Sequence, residues 1–222
     1  MVRFARGSLP WLATPAVLAL GLGALAASMP GQPVAQTSLR IAAILFALVF
    51  LFFLQFFRDP DRAVADGVAS PADGKVRLTD KPDDPDIGPA DRLSIFMSPK
   101  DVHVNRFPLE GRVVAVTHTP GSHVPAFNKE SDDNERVTTI LETELGRVKV
   151  VQIAGTVARR IVPYVEAGDP AVKGARFGLI RFGSRCDLYV RRGAVKWTVK
   201  PGEQVYAGKT SVASIKQRGV RP

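Results

Sequence analysis

The sequence predicts a mainly β protein, a compact barrel or sandwich domain carried on an N-terminal membrane hairpin of two helices. Three observations lead there. Two long apolar runs open the 222-residue chain. Its first 57 residues hold three arginines and no lysine, aspartate or glutamate, whereas the rest is densely charged. Beyond residue 63 the chain breaks into short runs rich in valine, isoleucine and threonine, bounded by glycine, proline or charged turns.

The first run, LPWLATPAVLALGLGALAASM, has 21 residues (9–29), and the second, IAAILFALVFLFFLQFF, has 17 (41–57). Both are close to the roughly 20 that a helix needs to cross a bilayer. The proline-rich MPGQPVAQTS between them suits a turn joining two antiparallel helices, so residues 1–57 are expected to form the anchor and 58–222 the β domain. Arg3, Arg6 and the small residues of ALAAS would also fit a cleaved leader, yet the second run, ending in FFRDPDR, still holds the chain at the membrane. Arginines at positions 3, 6, 58 and 62 place both ends of the hairpin on the cytoplasmic side, with the β domain against the inner leaflet of the cell membrane.

In the β domain, RVVAVTH (112–118), RVTTILETE (136–144), RVKVVQIAG (147–155), GLIRF (178–182) and AVKWTVK (194–200) read as strands. In the last, Val195, Trp197 and Val199 fall on one face and Lys196 and Thr198 on the other. KPDDPDIGP (81–89) and KESDDNER (129–136) read as solvated loops. The domain's two ends, SPADGKVRL and VKPGEQVYAGKTSVASI, resemble the glycine-turn hairpins of lipoyl and biotinyl barrels. That likeness supports a rival reading, a non-enzymatic membrane-anchored adaptor of an envelope complex. It lacks the exposed lysine flanked by methionines that a carrier domain would modify.

Of the net charge of +9, three units belong to the anchor, which leaves the β domain at +6 and favours an anionic partner such as a lipid surface. No zinc spacing, stacking platform or DNA-reading helix accompanies the charge, so no nucleic-acid partner is expected. A lone cysteine, Cys186, excludes an internal disulfide, and three scattered histidines, His103, His118 and His123, do not suggest a metal site.

Gly183-Ser184 stands apart because it sits between two strand-like runs, FGLIRF and CDLYV. Glycine leaves the carbonyl before the serine open to attack by the serine hydroxyl. The amide then becomes an ester, elimination across Cα–Cβ splits the chain, and loss of ammonia converts the serine to a pyruvoyl group. On chemistry alone a β-bulge or tight turn explains the pair as well.

FFRDPDR, SPADGKV, IFMSPKDVHVNRFPLEGRV, the NER of SDDNERV, GTVARRIV and FGLIRFGSRCDLYV, in that order, resemble the phosphatidylserine decarboxylases in their short bacterial and archaeal form. The resemblance implies a cut between Gly183 and Ser184, a large chain 1–183 paired with a small chain 184–222, and a covalent pyruvoyl cofactor made from Ser184. It further implies that the pyruvoyl ketone forms a Schiff base with phosphatidylserine in the membrane, releasing CO2 and phosphatidylethanolamine. Asp73 matches the family aspartate that activates the cleavage serine. His103 lies two residues from Asp101, on the same face of an extended segment, and is suited to donate the proton that follows decarboxylation. Longer members carry a second histidine where this chain has Arg106. Either His103 serves both steps or Asp73 acts without an imidazole, with His118 and His123 ranked behind. Arg159 and Arg160 are candidates for the lipid phosphate and carboxylate, and Cys186 reads as an apolar filler. A higher oligomer and an ether-lipid substrate both stay open.

Overall fold

A computed structural model describes residues 2–122, 133–155, 160–181 and 184–216. The chain divides into two compact units, Met1–Asp61 and Arg62–Pro222.

The first unit holds β1 (Val2–Phe4), α1 (Leu9–Ala27), α2 (Pro33–Phe56) and β2 (Arg58–Pro60). Both helices are long and apolar enough to cross a bilayer, and side chains such as Leu20, Ile44 and Leu48 are exposed along them. The polar stretch expected to form the turn is shorter than the sequence suggested, because Pro33–Ser38 joins α2. Proline is pre-set for the first helical position, where its missing N–H costs nothing. Gln36 then donates across the turn to the Ala26 carbonyl at 3.1 Å. At the other end β1 pairs with β2 in antiparallel register, Val2 opposite Pro60, and Trp11 meets Phe53 edge-on at 5.9 Å. The hairpin's two free ends are thus stitched together.

The second unit is almost wholly β. In chain order it contains β3 (Val68–Ala69), β4 (Gly74–Asp80), β5 (Asp83–Asp84), β6 (Gly88–Met97), β7 (Val104–Arg106), β8 (Gly111–Thr119) and β9 (Arg136–Thr143). There follow β10 (Gly146–Ala154), β11 (Arg160–Pro163), β12 (Pro170–Ala171), β13 (Arg176–Arg181), β14 (Ser184–Arg191), β15 (Val195–Trp197), β16 (Gln204–Val205) and β17 (Ser211–Ile215). Among the described residues a curled sheet runs β12-β8-β9-β10-β14-β6-β4-β16, with β5 on β6. Two small sheets, β11-β13-β7 and β15-β17-β3, accompany it.

The core follows from alternation. Ser184, Cys186, Leu188 and Val190 of β14 face inward with Met97, Ile95 and Leu93 of β6 and with Ala154, Gln152, Val150 and Val148 of β10. The opposite face of β14 carries Arg185, Asp187 and Tyr189. There the buried Arg185 guanidinium grips Asp187 (Nε–Oδ1 2.8 Å), and Lys149 binds Asp84 and Asp86. Loop 81–89, expected to be solvated, instead folds back as the β5–β6 hairpin and supplies those aspartates. The expected strand at 194–200 is regular only over Val195–Trp197, although the Thr198 N–H still donates to the Val212 carbonyl at 2.9 Å and inward burial continues to Val199.

Candidate active site

β13 ends at Arg181 in one sheet and β14 begins at Ser184 in another, so the chain changes sheets within two residues. Those two, Phe182 and the candidate Gly183, lie outside the described residues. Ser184 is fully buried, opposite Met97 on one side and Ala154 on the other. Its hydroxyl donates to the Met97 thioether, Oγ–Sδ 3.4 Å. Sulfur is a weak acceptor, so the hydroxyl is oriented without being tied up. The Ala154 carbonyl is held in turn by the buried Asn134 amide at 2.7 Å, which gives the NER block a structural purpose beside the serine.

His103 is also fully buried, one residue ahead of β7. Its carbonyl accepts the Ile180 N–H at 3.2 Å, four residues before Ser184, which puts it at the end of the sheet where the crossover occurs. The ring Nδ1 sits 2.9 Å from the Asp101 main-chain carbonyl. A carbonyl only accepts, so Nδ1 carries a proton, and whenever the ring is neutral its lone pair lies on Nε2. The expected partner was the Asp101 carboxylate. That group is occupied by the Ser98 N–H (2.8 Å) and hydroxyl (2.7 Å) and by the Gln204 amide (3.0 Å), because the chain turns at 98–101 and points the carboxylate back at its own start.

Asp73 is 2% exposed, in the turn before β4. Arg62 grips both its oxygens, with Nη2–Oδ2 at 2.8 Å, and the Ala207 N–H donates to Oδ1 at 2.8 Å. Lys75 lies opposite Phe96, and Met97 lies opposite Ser184, so the strand entered by Asp73 is two strand spacings, roughly 10 Å, from β14. Arg106 is buried and donates to the Gly174 carbonyl at 3.0 Å, bracing a loop.

Arg160 opens β11, exposed and opposite Arg181. Burial lowers the basicity of Arg181, and the charge of Arg160 lowers it further. Arg160 also lines a cleft of about 520 Å³ together with Val116, His118, Glu135, Val137 and Pro163. The Glu135 carbonyl in its wall accepts the Ala154 N–H at 2.9 Å, so the cleft adjoins the strand position next to Ser184. His118 is half exposed and paired with Glu135 at 3.0 Å. Arg159 and His123 lie outside the described residues. Cys186 is fully buried, and loss of solvent, helped by the Asp187 charge, pushes its thiol well above the ordinary range.

A family model of phosphatidylserine decarboxylase matches residues 49–213, which include Asp73, His103, Gly183 and Ser184. The chain belongs to the phosphatidylserine decarboxylase family. A family protein of Streptomyces coelicolor is 48% identical over 214 residues, 95% of this chain and 92% of that one. One of Thermobifida fusca is 44% identical over 209 residues, 94% of this chain and 91% of its own. Both are named phosphatidylserine decarboxylase proenzyme. A Methanosarcina mazei protein, provisionally named archaetidylserine decarboxylase proenzyme, is 41% identical over 216 residues, 96% of this chain and 97% of that one. Membership in a carboxy-lyase family decides for an enzyme and against the adaptor reading. Sequence reasoning passed over Met97, Asn105 and Gln152, and took Arg62 only as a sign of the hairpin's orientation. Only Gln152 left a usable signal, as the one polar residue in the inward row Val148, Val150, Gln152, Ala154.

Proposed function

We propose that this decarboxylase is made as one inactive polypeptide, divides itself between Gly183 and Ser184, and then removes CO2 from phosphatidylserine to leave phosphatidylethanolamine. The observation that carries the reading is the buried Ser184 hydroxyl, which among the described residues is held by a thioether, where the chain passes from one sheet to another inside the region that matches the family. An uncharged ketoacyl group fits the place: Ala154, Met97 and Cys186 around it are apolar and buried. The pyruvoyl group made from Ser184 supplies an electron sink that reacts with the primary amine of the lipid headgroup.

The chain's own residues do the rest. The lone pair on His103 Nε2 takes the Ser184 proton during the cut and, once protonated, the ring donates to the carbon that has lost CO2. Asp73 acts through position: its pair with Arg62 fixes the turn that leads into β4. Arg160 at the mouth of the cleft, with Arg159 beside it in sequence, draws the phosphate and carboxylate of the headgroup. The two apolar helices hold the enzyme on the cytoplasmic face of the cell membrane, where its substrate lies. The large and small chains stay paired after division.

Intact-mass measurement of the purified wild-type protein tests this directly. A fragment of 39 residues, 184–222, with a blocked N-terminus is expected. Ser184→Ala should stay whole and release no CO2 from phosphatidylserine. An undivided wild-type chain that decarboxylates the lipid would overturn the proposal.

A further inference from the structure

Beside Ser184 lies a buried pair of amides. Asn105 Nδ2 donates to the Pro71 carbonyl at 3.3 Å, with the Met97 sulfur at 3.9 Å, the same sulfur that receives the Ser184 hydroxyl. A carbonyl cannot donate, so the Asn105 amino group must face Pro71 and its Oδ1 must face the other way. Gln152 Nε2 donates to that Oδ1 at 2.7 Å. The orientation of the second amide is thereby fixed as well, and Gln152 Oε1 has no donor among the described residues, in a residue that is 0% exposed. Two amides in series convert one backbone carbonyl into a bare oxygen deep in the protein.

Space has been kept for this arrangement. A side chain at Gly178 would put its Cβ 2.7 Å from Gln152 Nε2 and 3.0 Å from Oε1. Gln152 stands opposite Cys186 in the β10–β14 register, which makes Ser184 its diagonal neighbour on the same face, roughly 7–8 Å away between main chains and within reach of a long side chain. A buried acceptor without a donor is costly, and native proteins keep one where something else will supply the hydrogen.

We propose that Gln152 Oε1 is the acceptor for an N–H of the substrate's amino group, so that Asn105 and Gln152 select an amine-bearing headgroup and hold its nitrogen beside position 184. Asn105 is a positioning residue that acts through Gln152. The inference rests on the functional reading above and adds to it a residue that recognises the amine before any covalent step.

The test uses binding, which needs no cofactor. The full-length Ser184→Ala protein in detergent is titrated calorimetrically with a short-chain phosphatidylserine and with the same lipid carrying hydrogen in place of the amino group. A charge-assisted hydrogen bond corresponds to a preference of about tenfold or more for the amine. Gln152→Met, of similar shape but without the acceptor, should erase that preference while binding the desamino lipid within about twofold of the parent. Gln152→Ala is read in the same way should the methionine variant fail to fold. A parent without amine preference, or a variant that keeps it, overturns the inference. If the wild-type chain divides and releases CO2 while the parent shows no preference, only this inference falls. If the wild-type chain does neither, the reading beneath it falls first.

Discussion

Ser184, His103 and Asp73 are all buried, and each is held by a different kind of partner: a thioether, a main-chain carbonyl and an arginine fork. The partners bear on the roles. A carboxylate already gripped by Arg62 and the Ala207 N–H acts on the site by placing β4, so Asp73→Ala and Arg62→Ala should slow self-cleavage alike, and the double variant should be no slower than either. Time courses of cutting on denaturing gels check this; additive slowing would assign Asp73 a separate chemical part. In the uncut Ser184→Ala background, losing either partner of this pair should cost about 3 kcal/mol by denaturant melting. Cys186 gives a second check. Its thiol is held above the ordinary range by burial, so iodoacetamide should leave the native protein unlabelled from neutral pH to about 8.5, where a free thiol is half ionised. Because the folded value is the raised one, the thiol's contribution to stability is whole below that point and declines as pH rises through it. The sequence showed these residues but not how each is held: Met97 reaches Ser184 only through the pairing of β6 with β14, Arg62 reaches Asp73 from a loop, and Asp101, though local to His103, offers its main-chain carbonyl in place of its carboxylate.

Strands written as continuous runs of valine, isoleucine and threonine were the legible ones. β8, β9 and β10 lie within a residue or two of the runs rich in valine and threonine that predicted them. β6 was not, since Asp91, Arg92 and Ser94 interrupt its apolar residues in sequence even though burial runs almost unbroken from Ala90 to Met97; β10 is buried as continuously, yet its valine-rich run announced it. Arg92 is tolerated because Asp80 on β4 binds it at 2.8 Å, a pairing no local pattern announces. Between these strands β4 approaches β6 so closely that Gly74, at φ +143°, has no room for a side chain: a Cβ there would stand 2.1 Å from the Phe96 carbonyl oxygen. Gly74→Ala should therefore lower stability by about 2 kcal/mol or more and reduce the fraction of chain cut, as thermal melting and gel densitometry would show.

For the whole molecule, the feature that bears on the proposed division is how the strands after residue 184 are held. β14 is paired with β6 along its full length and with β10 from Ser184 to Tyr189, and β17 sits between β15 and β3. Residues 184–222 should consequently co-elute with 1–183 on size-exclusion chromatography in mild detergent and part from them only in denaturant; early separation would contradict this topology. The hairpin of α1 and α2 should keep both pieces in the pellet after alkaline carbonate washing of membranes. Ser184 reaches its place only once both flanking strands have assembled, so on the proposed chemistry a polypeptide must fold before it can split. The ratio of short to long bands from crude lysate then reports the folded fraction of any variant that keeps the cleavage machinery, with neither purification nor lipid needed.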